Sequence, residues 1–218
     1  RRIKPDGTII SPIDFIPVYE KSGLISRLDR YIWEQAAAKL GEWKKAGINM
    51  SISVNISPKD FYYIDIFNTF AGLIKKYDIE PSNLKIEITE TTIMSDVPNL
   101  MGELEELRKA GFTLEMDDFG SGYSSLNTLK DINVDVLKVD MGFIKETKNV
   151  KKSRIILASV IKMAKELNLL IITEGVETEE QVDNLTKLGC DVFQGYYFSK
   201  AIDVNEFEKR YLYRKKAG

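Results

Sequence analysis

Apolar and polar residues alternate within six short segments of this chain. The segment at 84–89, for example, reads Leu-Lys-Ile-Glu-Ile-Thr, so its leucine and isoleucines share one face and its charged side chains share the other. A parallel strand covered on both faces by helices is nearly all apolar, so the alternation favours strands with one face toward helices and one toward a polar interior. The six predicted strands are Met50–Ile56, Leu84–Thr89, Phe112–Asp117, Val134–Asp140, Leu169–Glu174 and Val192–Phe198.

Amphipathic helical patterns separate most of these strands. They run over about 27–46, Asp60–Tyr77, Pro98–Ala110, Lys151–Asn168 and Glu179–Leu188. Strands and helices that alternate in this way are typical of βαβ units in an α/β fold. The sequence contains no internal repeat and no linker rich in proline and glycine. We therefore expect one domain over 1–218.

Polar residues recur near the carboxyl end of nearly every predicted strand. A (β/α)8 TIM-type barrel builds its active site from these strand ends. An open doubly wound sheet with a ligand at its switch point is the alternative, but it would concentrate such residues in one crevice. The pattern therefore favours the barrel. The candidate residues are Asn55, Glu87, Asp117, Asp118, Lys138, Asp140, Glu174 and Gln194.

The composition excludes several classes of function. Thirty-one Lys and Arg residues stand against 33 Asp and Glu, which leaves no basic footprint for polymeric nucleic acid. The chain has no histidine, so Ser-His and Cys-His nucleophile systems are excluded. Its single cysteine, Cys190, can form neither an internal disulfide nor a zinc site alone, which favours a reducing compartment. We therefore expect the chain to be cytoplasmic, or to be the cytoplasmic part of a membrane-anchored parent protein. No apolar run approaches the ~20 residues of a membrane span.

Converging carboxylates without histidine favour a hard cation, either Mg²⁺ or Mn²⁺. Adjacent Asp117 and Asp118 could serve two ions, as in two-metal hydrolysis of phosphate esters, with Lys138 near the water or a phosphate oxygen. Each motif alone has an ordinary explanation as a turn, a solvated strand end or a helix cap. Such explanations would have to hold at six successive strands, and this makes them the weaker hypothesis.

Together, in this order, the motifs resemble those of the EAL-domain phosphodiesterases. The likeness extends from Ile10 to Phe198. The motifs are Ser53-Val-Asn-Ile-Ser-Pro58, Glu87-Ile-Thr-Glu90, Asp117-Asp-Phe-Gly-Ser-Gly-Tyr-Ser-Ser-Leu126, Leu137-Lys-Val-Asp140, Glu174-Gly-Val-Glu-Thr178 and Gln194-Gly-Tyr196.

The resemblance implies a modified (β/α)8 barrel that hydrolyses cyclic dimeric GMP (c-di-GMP), a bacterial second messenger, to linear pGpG. It implies Mg²⁺ or Mn²⁺, with two ions in the site. It also implies a possible homodimer and a possible fused sensor or GGDEF domain upstream.

The resemblance also assigns roles to individual residues. Asn55, Glu87 and Asp117 would hold the first metal ion, and Asp117 would bridge to a second ion held by Asp118 and Glu174. Lys138 would orient the attacking water.

Five further residues receive supporting or substrate-binding roles. Glu90 would steady the loop 118–125, and Glu177 would support the catalytic site. Asp140, Gln194 and Arg1 would lie on the substrate side, with Arg1 near a phosphate.

The chain departs from the family pattern at its start. Arg1 takes the place of the arginine that follows the Glu-Ala-Leu motif after which the family is named. The first strands, including the one with that motif, would then be absent, and the chain would be a fragment of a longer multidomain protein. Three hypotheses remain: an active phosphodiesterase, a degenerate EAL domain that binds c-di-GMP or a protein partner, and a different metal-dependent phosphoesterase.

Overall fold

The computed structural model describes residues 2–95, 97–120, 125–140 and 150–213. The chain forms two compact units, Arg1–Leu114 and Glu115–Gly218. In the part of the chain that is described, no helix combines the length and the hydropathy needed to cross a bilayer.

The first unit begins with an antiparallel hairpin, in which Ile3 lies opposite Ile9, and continues with helices around a parallel strand pair. In that pair Asn55 lies opposite Glu87. The described elements are β1 (Arg2–Ile3), β2 (Ile9–Ile10), α1 (Pro12–Ser22), α2 (Ile25–Lys45), β3 (Ile52–Asn55), α3 (Asp60–Tyr63), α4 (Ile66–Tyr77), a 3-10 turn (Pro81–Asn83), β4 (Leu84–Thr89), α5 (Glu90–Ile93) and α6 (Leu100–Lys109).

The second unit contains parallel strands that pair in chain order. Its described elements are β5 (Leu114–Phe119), α7 (Ser125–Asp131), β6 (Val136–Asp140), α8 (Val150–Glu166), β7 (Leu170–Glu174), α9 (Glu179–Leu188), β8 (Val192–Phe193), α10 (Val204–Phe207) and a π-helical turn (Glu208–Leu212). The alternation of strands and helices predicted from the sequence is confirmed.

Aromatic rings fill the core of the first unit. The Trp33 ring of α2 lies 4.9 Å from Phe70 of α4, centroid to centroid, and Phe70 meets Phe112 edge-on at 5.7 Å. Trp33 and Phe70 are completely buried. Rings of this size contribute most of the apolar area that a small core can bury, so α2 is fixed against the strands it covers.

Two predicted elements differ most clearly from the structure. The helix predicted over Asp60–Tyr77 is two helices, because Asp65 caps α4 by accepting a hydrogen bond from the Asn68 amide at 3.0 Å. The strand predicted over Val192–Phe198 stops at Phe193, since a turn follows it. The hairpin and α1 have no counterpart among the predicted elements.

The predicted alternation of buried and less buried residues holds throughout β4. It fails in β6, where Val136–Val139 are all buried, including Lys138. The polar face of β6 is enclosed because the Lys138 ammonium packs against carboxylates of both neighbouring strands.

Candidate active site

The strand β5 has a bulge at its carboxyl end, at the two successive aspartates Asp117 and Asp118. Met116 and Phe119 are three positions apart, yet they lie opposite residues of β6 that are two positions apart. The extra residue falls at Asp117 and Asp118, and Asp118 has a φ of 56°. Adjacent side chains of a regular strand point to opposite faces, and a bulge can re-aim one of them. Asp118 consequently interacts electrostatically with both Asp117 and Lys138.

Lys138 lies between two carboxylates at the ends of the neighbouring strands. Its Nζ is 3.2 Å from Asp117 Oδ1 of β5 and 2.7 Å from Glu174 Oε1 of β7. Only 3% of Lys138 is exposed. We call Asp117, Lys138 and Glu174 the lysine cluster. Because an ammonium so deeply buried needs compensation by opposite charge, the cluster is held together by charge as well as by packing.

The lysine does not neutralise all the acidic groups around it. Burial raises the pKa of Asp118, and repulsion from Asp117 and Asp140 raises it further against the attraction of Lys138. Burial also raises the pKa of Glu174, although the Lys138 ammonium acts in the opposite direction. Burial is the main cause of both shifts, and repulsion between the carboxylates adds to it; a cation would favour the ionised form of both groups.

The loop after β7 is fastened to the turn after β8. Val176 donates its backbone N–H to the Gln194 carbonyl at 3.1 Å, and Tyr197 donates to the Val176 carbonyl at 3.0 Å. Gly195 is required at this contact, because a Cβ on it would lie 2.0 Å from the Val176 carbonyl oxygen. Gln194 thereby lies beside the 174–177 loop. The motif at 194–196 contains this glycine, but nothing in the sequence indicates that the Val176 backbone lies so close to it.

In the first unit, the candidate residues lie at the carboxyl ends of β3 and β4. Asn55 is exposed and Glu87 is partly buried, and they occupy opposed positions in the strand pair. The Trp33 indole Nε1 donates to the Asn55 carbonyl at 2.9 Å, and the Ile56 N–H donates to the Glu87 carbonyl at 3.0 Å. Both contacts hold the backbone of this strand pair in place.

Glu90 begins the short helix α5 and is 1% exposed. Thr89 caps that helix, since its Oγ1 accepts the Thr92 N–H at 3.2 Å. A glutamate this deeply buried is unusual and requires polar partners. Its burial agrees with a supporting role better than with the alternative of a solvated strand end.

The remaining candidates divide into exposed and undescribed residues. Asp140, Glu177 and Gln194 are all exposed. The Glu177 N–H is bound by Gln181 Oε1 at 2.6 Å, which ties it to the start of α9. Arg1 and residues 121–124 of the predicted supporting loop lie outside the described residues.

The donor set of the second unit suits a hard divalent cation. It offers carboxylate oxygens without nitrogen or sulfur ligands, and Mg²⁺ and Mn²⁺ prefer such donors. Across the described ranges, no three acidic, histidine or cysteine side chains converge as a ready metal cage. In the lysine cluster, the Lys138 ammonium is the positive charge between Asp117 and Glu174. The repulsion of Asp118 by Asp117 and Asp140 is the observation that fits a cation.

Comparison with known proteins gives several extended matches. The family model of the EAL domain matches residues 1–201. The bifunctional diguanylate cyclase/cyclic di-GMP phosphodiesterase MucR of Pseudomonas aeruginosa is 34% identical over 93% of this chain. The cyclic di-GMP phosphodiesterase PdeR of Escherichia coli is 32% identical over 96% of it. The chain spans only 30% and 32% of the lengths of these two relatives.

A solved structure of the PaMucR phosphodiesterase in its c-di-GMP complex superposes with a TM-score of 0.85 and 34% identity. The superposition covers 94% of this chain and 83% of that one. The predicted fold class, a modified (β/α)8 barrel of the α/β type, is confirmed by this likeness. With its motifs, its strand-end carboxylates and a family model that matches nearly its whole length, the chain belongs to the EAL domain family.

Proposed function

We propose that this chain is a metal-dependent phosphodiesterase domain that hydrolyses c-di-GMP to linear pGpG. The lysine cluster is the observation that carries the proposal, since it gathers a buried ammonium and two carboxylates at the ends of β5, β6 and β7. The names of the relatives MucR and PdeR support the same substrate. Bacterial signalling by a cytoplasmic domain of a longer protein is part of the proposal.

The proposed metal ligands are the oxygen donors at four strand ends. Asn55, Glu87 and Asp117 are proposed for one ion, and Asp117, Asp118 and Glu174 for another. When bound, Mg²⁺ or Mn²⁺ supplies charge stabilisation for the phosphate and lowers the pKa of water. The repulsion of Asp118 by Asp117 and Asp140 supports this role, because a cation would favour the ionised form of these neighbouring carboxyls.

Lys138 is proposed to position the attacking water. Its Nζ lies 3.2 Å from Asp117 Oδ1 and 2.7 Å from Glu174 Oε1, so the ammonium stands among the carboxylates that are proposed to hold the metal ions and the water. In the reaction, the water oxygen forms a bond to phosphorus and one P–O3′ bond of the cyclic dinucleotide breaks. The water loses a proton, the departing 3′ oxygen gains one, and the product retains a 5′ phosphate.

The other candidates are proposed to support the site or bind substrate. Glu90, buried at the start of α5, and Glu177, before α9, are proposed to hold their loops in place. Gln194 and Asp140 are exposed beside the lysine cluster's strands and are proposed to contact the nucleotide. Arg1 is proposed to contact a phosphate.

The test is an assay of pGpG formation with saturating Mg²⁺ or Mn²⁺, together with calorimetric titration of c-di-GMP. We expect turnover, and we expect Lys138→Ala to lower kcat by about 10² or more with a small change in KM, because a group that positions water acts in the transition state. Lys162→Ala is the matched control, since its side chain is 79% exposed on α8. Binding of c-di-GMP without turnover in any metal would instead identify a binding module.

A further inference from the structure

Asp60 is a fully buried carboxyl group in the first unit. It begins α3, and its Oδ2 accepts the Ser57 N–H at 2.8 Å. Its Oδ1 is buried without a hydrogen-bond partner among the described residues. A buried carboxylate oxygen without a donor costs free energy, so some donor is needed at this place.

Helix α2 presents Ser26, Asp29 and Trp33 at three- and four-residue spacing, which places them on one face. Ser26 Oγ is also buried, and its hydroxyl acts to lower the pKa of the neighbouring Asp60, although no hydrogen bond of regular geometry joins it to any described residue. The side chains of Asp29 and Asp60 are hydrogen-bonding neighbours. Burial, together with the Asp60 carboxylate, raises the pKa of Asp29 to about 8, and burial also raises the pKa of Asp60. We call Asp29 and Asp60 the aspartate pair.

The charges around the aspartate pair are mostly negative. On α1, Glu20 adds to the repulsion at Asp29. On the segment before α3, the Lys59 ammonium is engaged by the Glu20 carbonyl oxygen. Among the described residues, no lysine or arginine forms an ion pair with either member of the pair. A shared proton is therefore the available positive charge.

The aspartate pair adjoins the backbone that carries Asn55. Trp33, one turn after Asp29, donates to the Asn55 carbonyl. Asp60 holds the amide of Ser57, two residues after Asn55. Between them, the Ile56 N–H is bound by Glu87 of β4. Hydrogen bonds thus connect the segment from Asn55 to Asp60 with α2 and β4. The aspartate pair lies at the Asp60 end of this segment.

We propose that Asp29 and Asp60 share a proton and act as positioning residues that hold the carboxyl end of β3, and with it Asn55, in place for cation binding. The cation part of this inference rests on the proposed function, and the proton-sharing part does not. Loss of the proton would place two carboxylates side by side in a buried site, and the 55–60 segment would separate from α2.

Nuclear magnetic resonance can observe the pair directly, without metal. The two tryptophans of the chain, Trp33 and Trp43, give two indole N–H signals. We expect the Trp33 signal to titrate with a midpoint near 8, in step with the carboxyl carbon of Asp29, while Trp43 stays unchanged as the internal control. In Asp29→Asn the amide keeps a donor for Asp60, so the Trp33 titration should vanish while its chemical shift stays near the low-pH value.

Calorimetric titration of Mg²⁺ at pH 7 and pH 9 tests the link to the cation. If binding requires the protonated pair, affinity should fall up to about tenfold at pH 9, which is the linkage expected one unit above a pKa of about 8. Asp29→Asn should remove most of this difference, whereas Asp29→Ala, which lacks the donor, should bind weakly at both pH values.

The outcomes separate the two proposals. An Asp29 carboxyl that titrates near 4, with no response at Trp33, overturns the shared proton. A clear titration near 8 with pH-independent Mg²⁺ affinity overturns the positioning role. A titration near 8 with no Mg²⁺ binding by the unmodified chain at either pH leaves the shared proton established and overturns the proposed metal site together with the positioning role.

Discussion

The two units of the chain bury acidic groups and compensate for them in different ways. In the second unit, the lysine cluster sets a buried ammonium within 3.2 Å of Asp117 and 2.7 Å of Glu174. In the first unit, the aspartate pair has no such cation among the described residues, and the pKa of Asp29 rises to about 8. The first solution places a fixed positive charge between its carboxylates. The second converts one carboxyl into a hydrogen-bond donor.

The difference predicts how each region responds to change. The stability of the lysine cluster should fall when the Lys138 ammonium is removed by substitution. An added divalent ion should partly replace the lost positive charge. A pair built on a proton should be sensitive to pH. The two regions can therefore be perturbed separately, which gives each prediction below an internal reference in the other unit.

Lys138→Met should produce the largest effect. It removes the ammonium and leaves Asp117 and Glu174 partly buried without compensation, which costs about 3–5 kcal/mol for buried pairs of this kind. Urea unfolding in the absence of divalent ions measures the loss. Lys162→Met, on the exposed face of α8, should change the free energy of unfolding by less than about 0.5 kcal/mol. Equal stability of the two variants would contradict a charge-compensated cluster.

Gly195→Ala should be the next largest. The new Cβ would meet the Val176 carbonyl oxygen at 2.0 Å, so the loop that follows Glu174 must move. Overpacking of this kind costs about 1–3 kcal/mol, and the strain falls on the lysine cluster through Glu174. The matched control is Gly72→Ala in α4, where a Cβ meets nothing within 4 Å and the helix should gain up to about 1 kcal/mol. Chemical denaturation of both variants provides the comparison.

The pH dependence of stability should distinguish the aspartate pair. Because the folded-state pKa of Asp29 is raised, its protonated form contributes stability that is complete below 3.8 and is lost as the pH rises toward about 8. We expect the unfolding free energy of the unmodified chain, relative to Asp29→Asn, to decline across this window and then level off. Urea unfolding at a series of pH values measures the decline. A relative stability that stays flat across this window would mean that Asp29 is ionised in the folded chain.

The sequence predicts strands well where one face is covered and the other is open. The strand β4 was predicted to the residue because its leucine and isoleucines are buried and the residues between them are not. The same pattern identified Asp117, Lys138 and Glu174, since polar residues at successive strand ends are rare without a function. The structure brings these three together.

Other features depend on contacts that a linear pattern does not contain. The bulge at Asp117 and Asp118 adds one residue with no change in composition, so the strand pattern does not indicate it. From the sequence alone, Asp29 is an ordinary solvated residue of a helix. Its interaction with Asp60, 31 positions later in the chain, is visible only in the structure. Gly195 reads as a turn residue, and only the approach of the Val176 backbone shows why no side chain fits.

The smallest expected effect concerns the start of α9, just beyond the lysine cluster. Thr178 forms a capping box with Gln181, whose side chain also binds the Glu177 N–H at 2.6 Å. Thr178→Ala should cost about 1 kcal/mol, the usual loss for an N-cap, while Thr178→Ser should cost less because it keeps the hydroxyl. If Glu177 only supports the loop, Thr178→Ala should leave the lysine cluster intact, so the pKa of Glu174 followed by carboxyl-carbon resonance should not move. A shifted Glu174 titration would show that the cap and the cluster are coupled through the short 174–177 loop, and that the lysine cluster depends on its supporting backbone as much as on its central charge.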